Sequence, residues 1–272
     1  MKISNITANG VRIAYYEQGD GPVLVLIHGM FGDHRDWAPV LAPLARHFRV
    51  LALDLPGFGA SEKPENGYSG TFFISTLHEF FEQTHIKKFS LMGNSFGGQV
   101  SLLYALKHPE QVEQLVLVDS GGFRNVTTEE KTQTCQVFSE KNLLALKPEA
   151  ISSLFTAVFS GDSEEKSRYL EKQAVKLSAP DFPAYAHALA CSIQVSLSTY
   201  LLERLREITC PTALIWGEQD AVVPVEQAQQ ALTMLSHGSL HVLQACGHMP
   251  QLESPGEFVE TVKKLFHVTG TP

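Results

Sequence analysis

Six short stretches of this chain are apolar almost without interruption: Val23 to Ile27, Val50 to Leu53, Phe89 to Met92, Leu115 to Val118, Thr212 to Trp216 and Leu240 to Leu243. A strand with one face in water alternates apolar and polar residues. A continuous run instead fits a strand buried on both faces, as in a parallel sheet sandwiched between helices. Stretches with helical spacing lie between several of these runs, at Trp37 to Ala45, Thr71 to Thr84, Phe96 to Lys107, Val225 to Leu235 and Pro255 to Phe266. Strand and helix alternate, which defines an α/β protein with a mostly parallel sheet. Before the first run, the alternating VRIAYYEQ from Val11 reads as an edge strand that ends in the turn Gly19-Asp20-Gly21-Pro22.

One interval departs from this rhythm. From about Arg124 to Glu207 no buried-strand run occurs, and Glu140 to Leu146, Pro148 to Ser160, Glu164 to Ser178 and Phe182 to Arg204 read as helices, punctuated by Gly161 and Pro180. The expected organisation is a core made of residues 1–123 and 208–272, with a helical insertion at 124–207. Such an insertion rises from the carboxyl ends of the strands, where open α/β sheets bind ligands, and so reads as a lid. One face of its last helix, with Ala188, Ala190, Ile193, Val195 and Leu197, is a candidate pocket roof.

A length of 272 residues suits one substantial domain with an insertion. Lys plus Arg total 21 against 29 for Asp plus Glu, a net charge of -8. Without a basic run to neutralise phosphates, nucleic acid is not an expected partner. No segment reaches the roughly 20 apolar residues that span a bilayer, and the first residues do not resemble a signal peptide. A soluble, cytoplasmic protein follows as the expectation. Cys135, Cys191, Cys210 and Cys246 lie far apart and read mostly as ordinary buried thiols. His28 and His34 have no neighbouring ligand set with metal spacing, so neither metal nor cofactor is expected.

The sharpest local pattern is Gly93-Asn94-Ser95-Phe96-Gly97-Gly98, set between a buried strand and a helix. Small residues on both sides of Ser95 allow a turn sharp enough to expose its hydroxyl as a nucleophile. The competing reading, a glycine-rich turn that packs closely or binds phosphate, lacks the GxGxxG spacing of a dinucleotide site. A serine nucleophile needs a base, and the base needs an acid to orient it. His248, in Cys246-Gly247-His248-Met249-Pro250 after the last strand, is the candidate base. Asp220, just past Thr212 to Trp216, is the candidate acid; Asp119 and Glu218 are its rivals. The backbone amides of Met30 and Phe96 are candidates for the oxyanion hole that acyl transfer requires. His28 reads as a ring bracing the Met30 loop, and Asp54 as part of a structural turn.

These motifs are those of a known family. HGMFGDHRDW from His28, DLPGFGAS from Asp54, GNSFGG from Gly93, WGEQDAVVP from Trp216 and CGHMPQLESP from Cys246 together resemble the α/β-hydrolase fold with a helical cap after the sixth core strand. The resemblance implies Ser95 as nucleophile, Asp220 as acid, His248 as base, and Met30 and Phe96 as oxyanion donors. It speaks against the haloalkane dehalogenases and epoxide hydrolases of this fold, which use an aspartate nucleophile. The carbon-carbon hydrolases of aromatic ring-fission products usually carry a tryptophan after the catalytic histidine and an arginine in the cap. Here Met249 follows His248, and no cap arginine matches. The leading expectation is a serine carboxylesterase for a small-molecule ester with a small or medium acyl group. Carbon-carbon hydrolysis is the alternative, beside lactonase, thioesterase, amidase, perhydrolase or acyltransferase activity. A noncatalytic receptor for a small ligand is the reading from another class, and a homo-oligomer is left open.

Overall fold

The computed structural model describes residues 3–268. Eight strands form one sheet: β1 (Ile3–Ala8), β2 (Val11–Gln18), β3 (Val23–Ile27), β4 (Arg49–Leu53), β5 (Phe89–Asn94), β6 (Val112–Val118), β7 (Thr212–Gly217) and β8 (Gly238–Leu243), in the spatial order β1-β2-β4-β3-β5-β6-β7-β8. From β4 to β8 every neighbouring pair is parallel; β1 and β2 run antiparallel at one side.

VRIAYYEQ therefore is not the edge. β2 is flanked by β1 and β4, and ISNITA is the outer strand instead. The two are joined by Asn9-Gly10, both with positive φ (53° and 74°). That is the conformation a two-residue hairpin turn demands, and Asn-Gly supplies it at low steric cost. At the other side β8 is the edge, which leaves most of its residues only half-buried.

The inner strands alternate faces. Leu24, Leu26, Val50, Ala52, Met92, Val116 and Ile215 pack on one side with Trp37, Leu41, Phe258 and Val262, contributed by α1 (Ala38–Leu44), its preceding turn, and α11 (Pro255–Leu265). Val25, Ile27, Leu51, Leu91, Leu117 and Trp216 pack on the other with Phe73, Phe80, Val100 and Tyr104 from α2 (Gly70–Gln83) and α3 (Phe96–Lys107). Both faces are dry, which is why the sequence runs are continuous; truncating one such Leu to Ala costs about 2–5 kcal/mol.

Between β6 and β7 the regular structure is helical: α4 (Thr128–Val137), α5 (Glu140–Leu144), α6 (Pro148–Leu154), α7 (Glu164–Lys176) and α8 (Phe182–Leu197), with 3-10 turns at Thr156–Val158 and Leu202–Glu207. After β7 come α9 (Val225–Leu232) and, beyond β8, α10 (Pro250–Glu253). The four cysteines are free, and only Cys246 is buried; the other three are half-exposed, contrary to the sequence expectation.

Candidate active site

The chain leaves β3 for β4 on one side and later returns to place β5 on the other, so the strand order reverses at β3. Their carboxyl ends open a crevice there. Two turns meet in it, the one after β3 and the one after β5.

Ser95 sits between β5 and α3 with φ 55° and ψ -115°, a conformation non-glycine residues rarely adopt. Such strain costs on the order of 1–3 kcal/mol and persists only where the surroundings enforce it. Here the Ser95 amide donates to Val118 O (2.9 Å), and the flanking glycines permit contacts no side chain could share. A Cβ on Gly97 would lie 2.4 Å from the carbonyl oxygens of Ile27 and His28, and one on Gly93 would lie 2.3 Å from Gly97 O.

His248 follows β8 on a loop and is buried. Its Nδ1 donates to Asp220 Oδ2 (2.7 Å), while Asp220 Oδ1 accepts the amides of Val222 (2.8 Å) and Val223 (2.9 Å). Asp119, the rival acid, is also buried but makes no bond to the imidazole; it accepts the Gly217 amide (2.9 Å). Burial first, and the neighbouring Asp220 second, push its carboxyl well above the usual range. Glu218 lies outside the cluster, accepting the Ala245 amide at 3.4 Å.

His28 braces the first turn. Its Nδ1 donates to Gly29 O (2.8 Å) and its Nε2 accepts the Leu55 amide (3.0 Å), so the ring is the neutral Nδ1-H tautomer. Burial lowers its pKa, in keeping with that role. Asp54 likewise is structural, accepting from the His34 amide (2.6 Å), His34 Nδ1 (3.0 Å) and the Ala60 amide (2.8 Å). Asp33, His34 and Asp54 are close enough to share a cation, yet Asp33 is engaged by Arg35 Nε (2.8 Å) and Nη2 (2.9 Å). Their oxygens are committed to N-H donors.

Ser95, His248 and Met30 line a single cavity of about 280 Å³. Its walls are apolar and aromatic, including Phe31, Phe138, Phe155, Val158, Leu197 and Met249, and among the described residues none of them is Lys, Arg, Asp or Glu. Of the α8 face that the sequence offered as a roof, Ile193 and Leu197 line it, together with Ser196, which that reading did not name; Ala190 and Val195 do not line it, and Ala188 instead faces Gly57. The Phe96 side chain does not line the cavity; it is buried against Phe73 (centroids 5.3 Å apart), so only its backbone lies at the helix start. The amides of Met30 and Phe96 make no backbone hydrogen bond outside regular elements.

Sequence reasoning did not single out the residues that hold these loops. Asn94 Nδ2 donates to His248 O (3.1 Å) and Val118 O (3.2 Å). Glu253 accepts from the amides of Gly247 (3.0 Å) and Ser160 (2.8 Å) and from Ser160 Oγ (2.8 Å), and the His248 amide donates to Val158 O (2.8 Å). The ESP tail of the last motif was the available signal for Glu253.

The match to a family model described as alpha/beta hydrolase fold covers residues 22–255. The chain belongs to that family, and it is a hydrolase by that membership. A 2-hydroxy-6-oxo-6-(2'-aminophenyl)hexa-2,4-dienoic acid hydrolase from Metapseudomonas resinovorans is 30% identical over 93% of this chain and 87% of its own. A pimeloyl-[acyl-carrier protein] methyl ester esterase from Nitrosomonas europaea is also 30% identical, over 91% and 96% respectively. Among solved structures, a membrane phospholipase A superposes with a TM-score of 0.85 at 28% identity, over 98% of this chain and 86% of its own. No helix among the described residues is long and apolar enough to cross a membrane.

Proposed function

We propose that this chain is a serine carboxylesterase acting on uncharged small-molecule esters with small or medium acyl groups, with residues 124–207 as a helical cap over a core of 1–123 and 208–272. In this reading His248 takes the Ser95 proton as the hydroxyl oxygen attacks the ester carbonyl. The resulting oxyanion rests between the amides of Met30 and Phe96 while Asp220 stabilises the imidazolium. The intermediate collapses, His248 protonates the departing alcohol, and a water activated by the same histidine releases the carboxylic acid and restores Ser95.

The observation that carries the reading is the cavity wall. Ser95 and His248 face a space whose described lining offers no lysine or arginine. A ring-fission acid of the kind named for the Metapseudomonas relative carries a carboxylate, and desolvating it without a cation is costly. A neutral ester meets no such penalty. The volume of about 280 Å³ lies just below the usual span of ligand pockets, roughly 300–1,000 Å³, and favours a compact substrate.

The test is hydrolysis of nitrophenyl esters of graded acyl length by wild-type and Ser95→Ala protein, beside one ring-fission dienoate. Ester turnover with a defined acyl optimum, reduced on the order of 10⁴-fold or more in Ser95→Ala, is expected. Turnover confined to the dienoate would replace the reading with carbon-carbon hydrolysis, and ester turnover indifferent to Ser95 would remove the nucleophile.

A further inference from the structure

Gly29 to Gly32 form a β-turn closed by the Gly32 amide on Gly29 O (3.1 Å), with Met30 and Phe31 at its centre. Phe31 has φ 63°, at a turn position that glycine or asparagine ordinarily fills. A phenylalanine held there needs external support. Among the described residues its aromatic partners and the donors to its carbonyl come from the segment between β6 and β7, while the ring also packs beside the cluster that holds Met249 and Leu252. The ring packs edge-on against Phe155 (5.1 Å) and Phe138 (5.8 Å), and the Phe31 carbonyl accepts from Lys176 Nζ (2.6 Å) and Gln173 Nε2 (3.3 Å), both on α7.

Lys176 is an expensive way to fill that space. Its ammonium lies among Asp33 (3.3 Å), Asp36, Lys172 and the Tyr185 ring (5.3 Å). Burial, followed by the charge of Lys172, pushes its pKa down to about 8. A methionine of similar length would escape that penalty. What methionine could not do is donate to the Phe31 carbonyl, and a charge-assisted bond is roughly twice as strong as a neutral one.

We propose that Lys176 is a positioning residue for acyl transfer: by gripping the Phe31 carbonyl from α7, it fixes the turn that aims the Met30 amide at the oxyanion. The inference rests on the serine-esterase reading above. It makes the anion-binding geometry depend on α7 being seated, although Lys176 touches neither substrate nor Ser95.

The test follows the rate at which a fluorophosphonate labels Ser95, because charge then develops on the phosphoryl oxygen where the oxyanion would lie. Lys176→Met is expected to slow labelling and lower kcat for the best ester by 10- to 100-fold, with KM changed less than threefold. Lys172→Met, which removes a neighbouring ion pair to the same loop but no bond to Phe31, is expected to label near the wild-type rate. Thermal midpoints of both variants establish that they are folded; should Lys176→Met not fold, Lys176→Gln, too short to reach the carbonyl, is expected to show the same slowing. Wild-type labelling by the Lys176 variants, or equal slowing in Lys172→Met, overturns the proposal while leaving the esterase reading intact. A wild-type protein that takes no label overturns both.

Discussion

Asp119 and Asp220 stand side by side where β6 and β7 end, within 4.8 Å of each other and of His248, yet their surroundings differ. Asp220 accepts two backbone amides and the imidazole, whereas Asp119 accepts one amide and its Oδ2 is buried with no donor. Two adjacent carboxyls cannot both ionise cheaply in a dry site. Asp119, short of donors, is the one pushed upward.

That division predicts opposite outcomes for the same substitution. Asp220→Asn should cut turnover on the order of 10³- to 10⁴-fold, because the imidazole loses its orienting anion. Asp119→Asn should leave kcat within a fewfold. It should also raise stability at pH 8: the unfolded Asp119 is ionised above about pH 4, whereas the folded one must hold a proton, a cost that grows as pH rises. Urea unfolding at pH 4 and pH 8 checks the sign, since the advantage of the Asn variant should vanish at the lower pH.

Lys176 gives a pH dependence of the other kind. Its folded pKa of about 8 lies below that of an exposed lysine, so the penalty for charging it is complete below pH 8 and fades as pH rises toward the unfolded value. Relative to Lys176→Met, the wild-type protein should gain about 2 kcal/mol of unfolding free energy between pH 7 and pH 9.5. Parallel denaturation curves at the two pH values measure it.

Leu197 lies on α8 in the cavity wall. Leu197→Trp should shorten the acyl chains accepted, raising KM at least 10-fold for the longest ester hydrolysed by the wild type while sparing acetate. Comparing kcat/KM across acyl length separates this narrowing from a general loss of activity.

Glu253 ties the His248 loop to Ser160. Glu253→Ala leaves the part-buried Gly247 amide short of an acceptor, whereas the exposed Ser160 amide can turn to water, and should cost about 1 kcal/mol of stability. Activity should fall 10-fold or more as the imidazole loses its register, seen as a drop in kcat with the thermal midpoint still above assay temperature.

The parallel core was legible because burial on both faces writes itself as uninterrupted apolar residues, and Ser95 because a sharp strand-to-helix turn leaves glycines at fixed offsets. β1 was not, since ISNITA is largely exposed or half-exposed and carries no buried run; its real signal was Asn9-Gly10. Nor was α4, whose TEEKTQTCQV buries no residue and starts on a capping box between Thr127 and Glu130. The hydrogen bond from Lys176 to Phe31 joins residues 145 apart, and no local spacing can announce such a pair.

The segment between β6 and β7 reaches both loops of the proposed site, Lys176 and Gln173 holding Phe31 while Val158 and Ser160 hold the turn around His248. Replacing it with the corresponding stretch of a relative would therefore exchange more than a pocket wall. A graft that imports a new pocket wall without these four attachments would leave the loops of the proposed site loosened, and a chimera would have to be chosen first for its fastenings and only then for its shape.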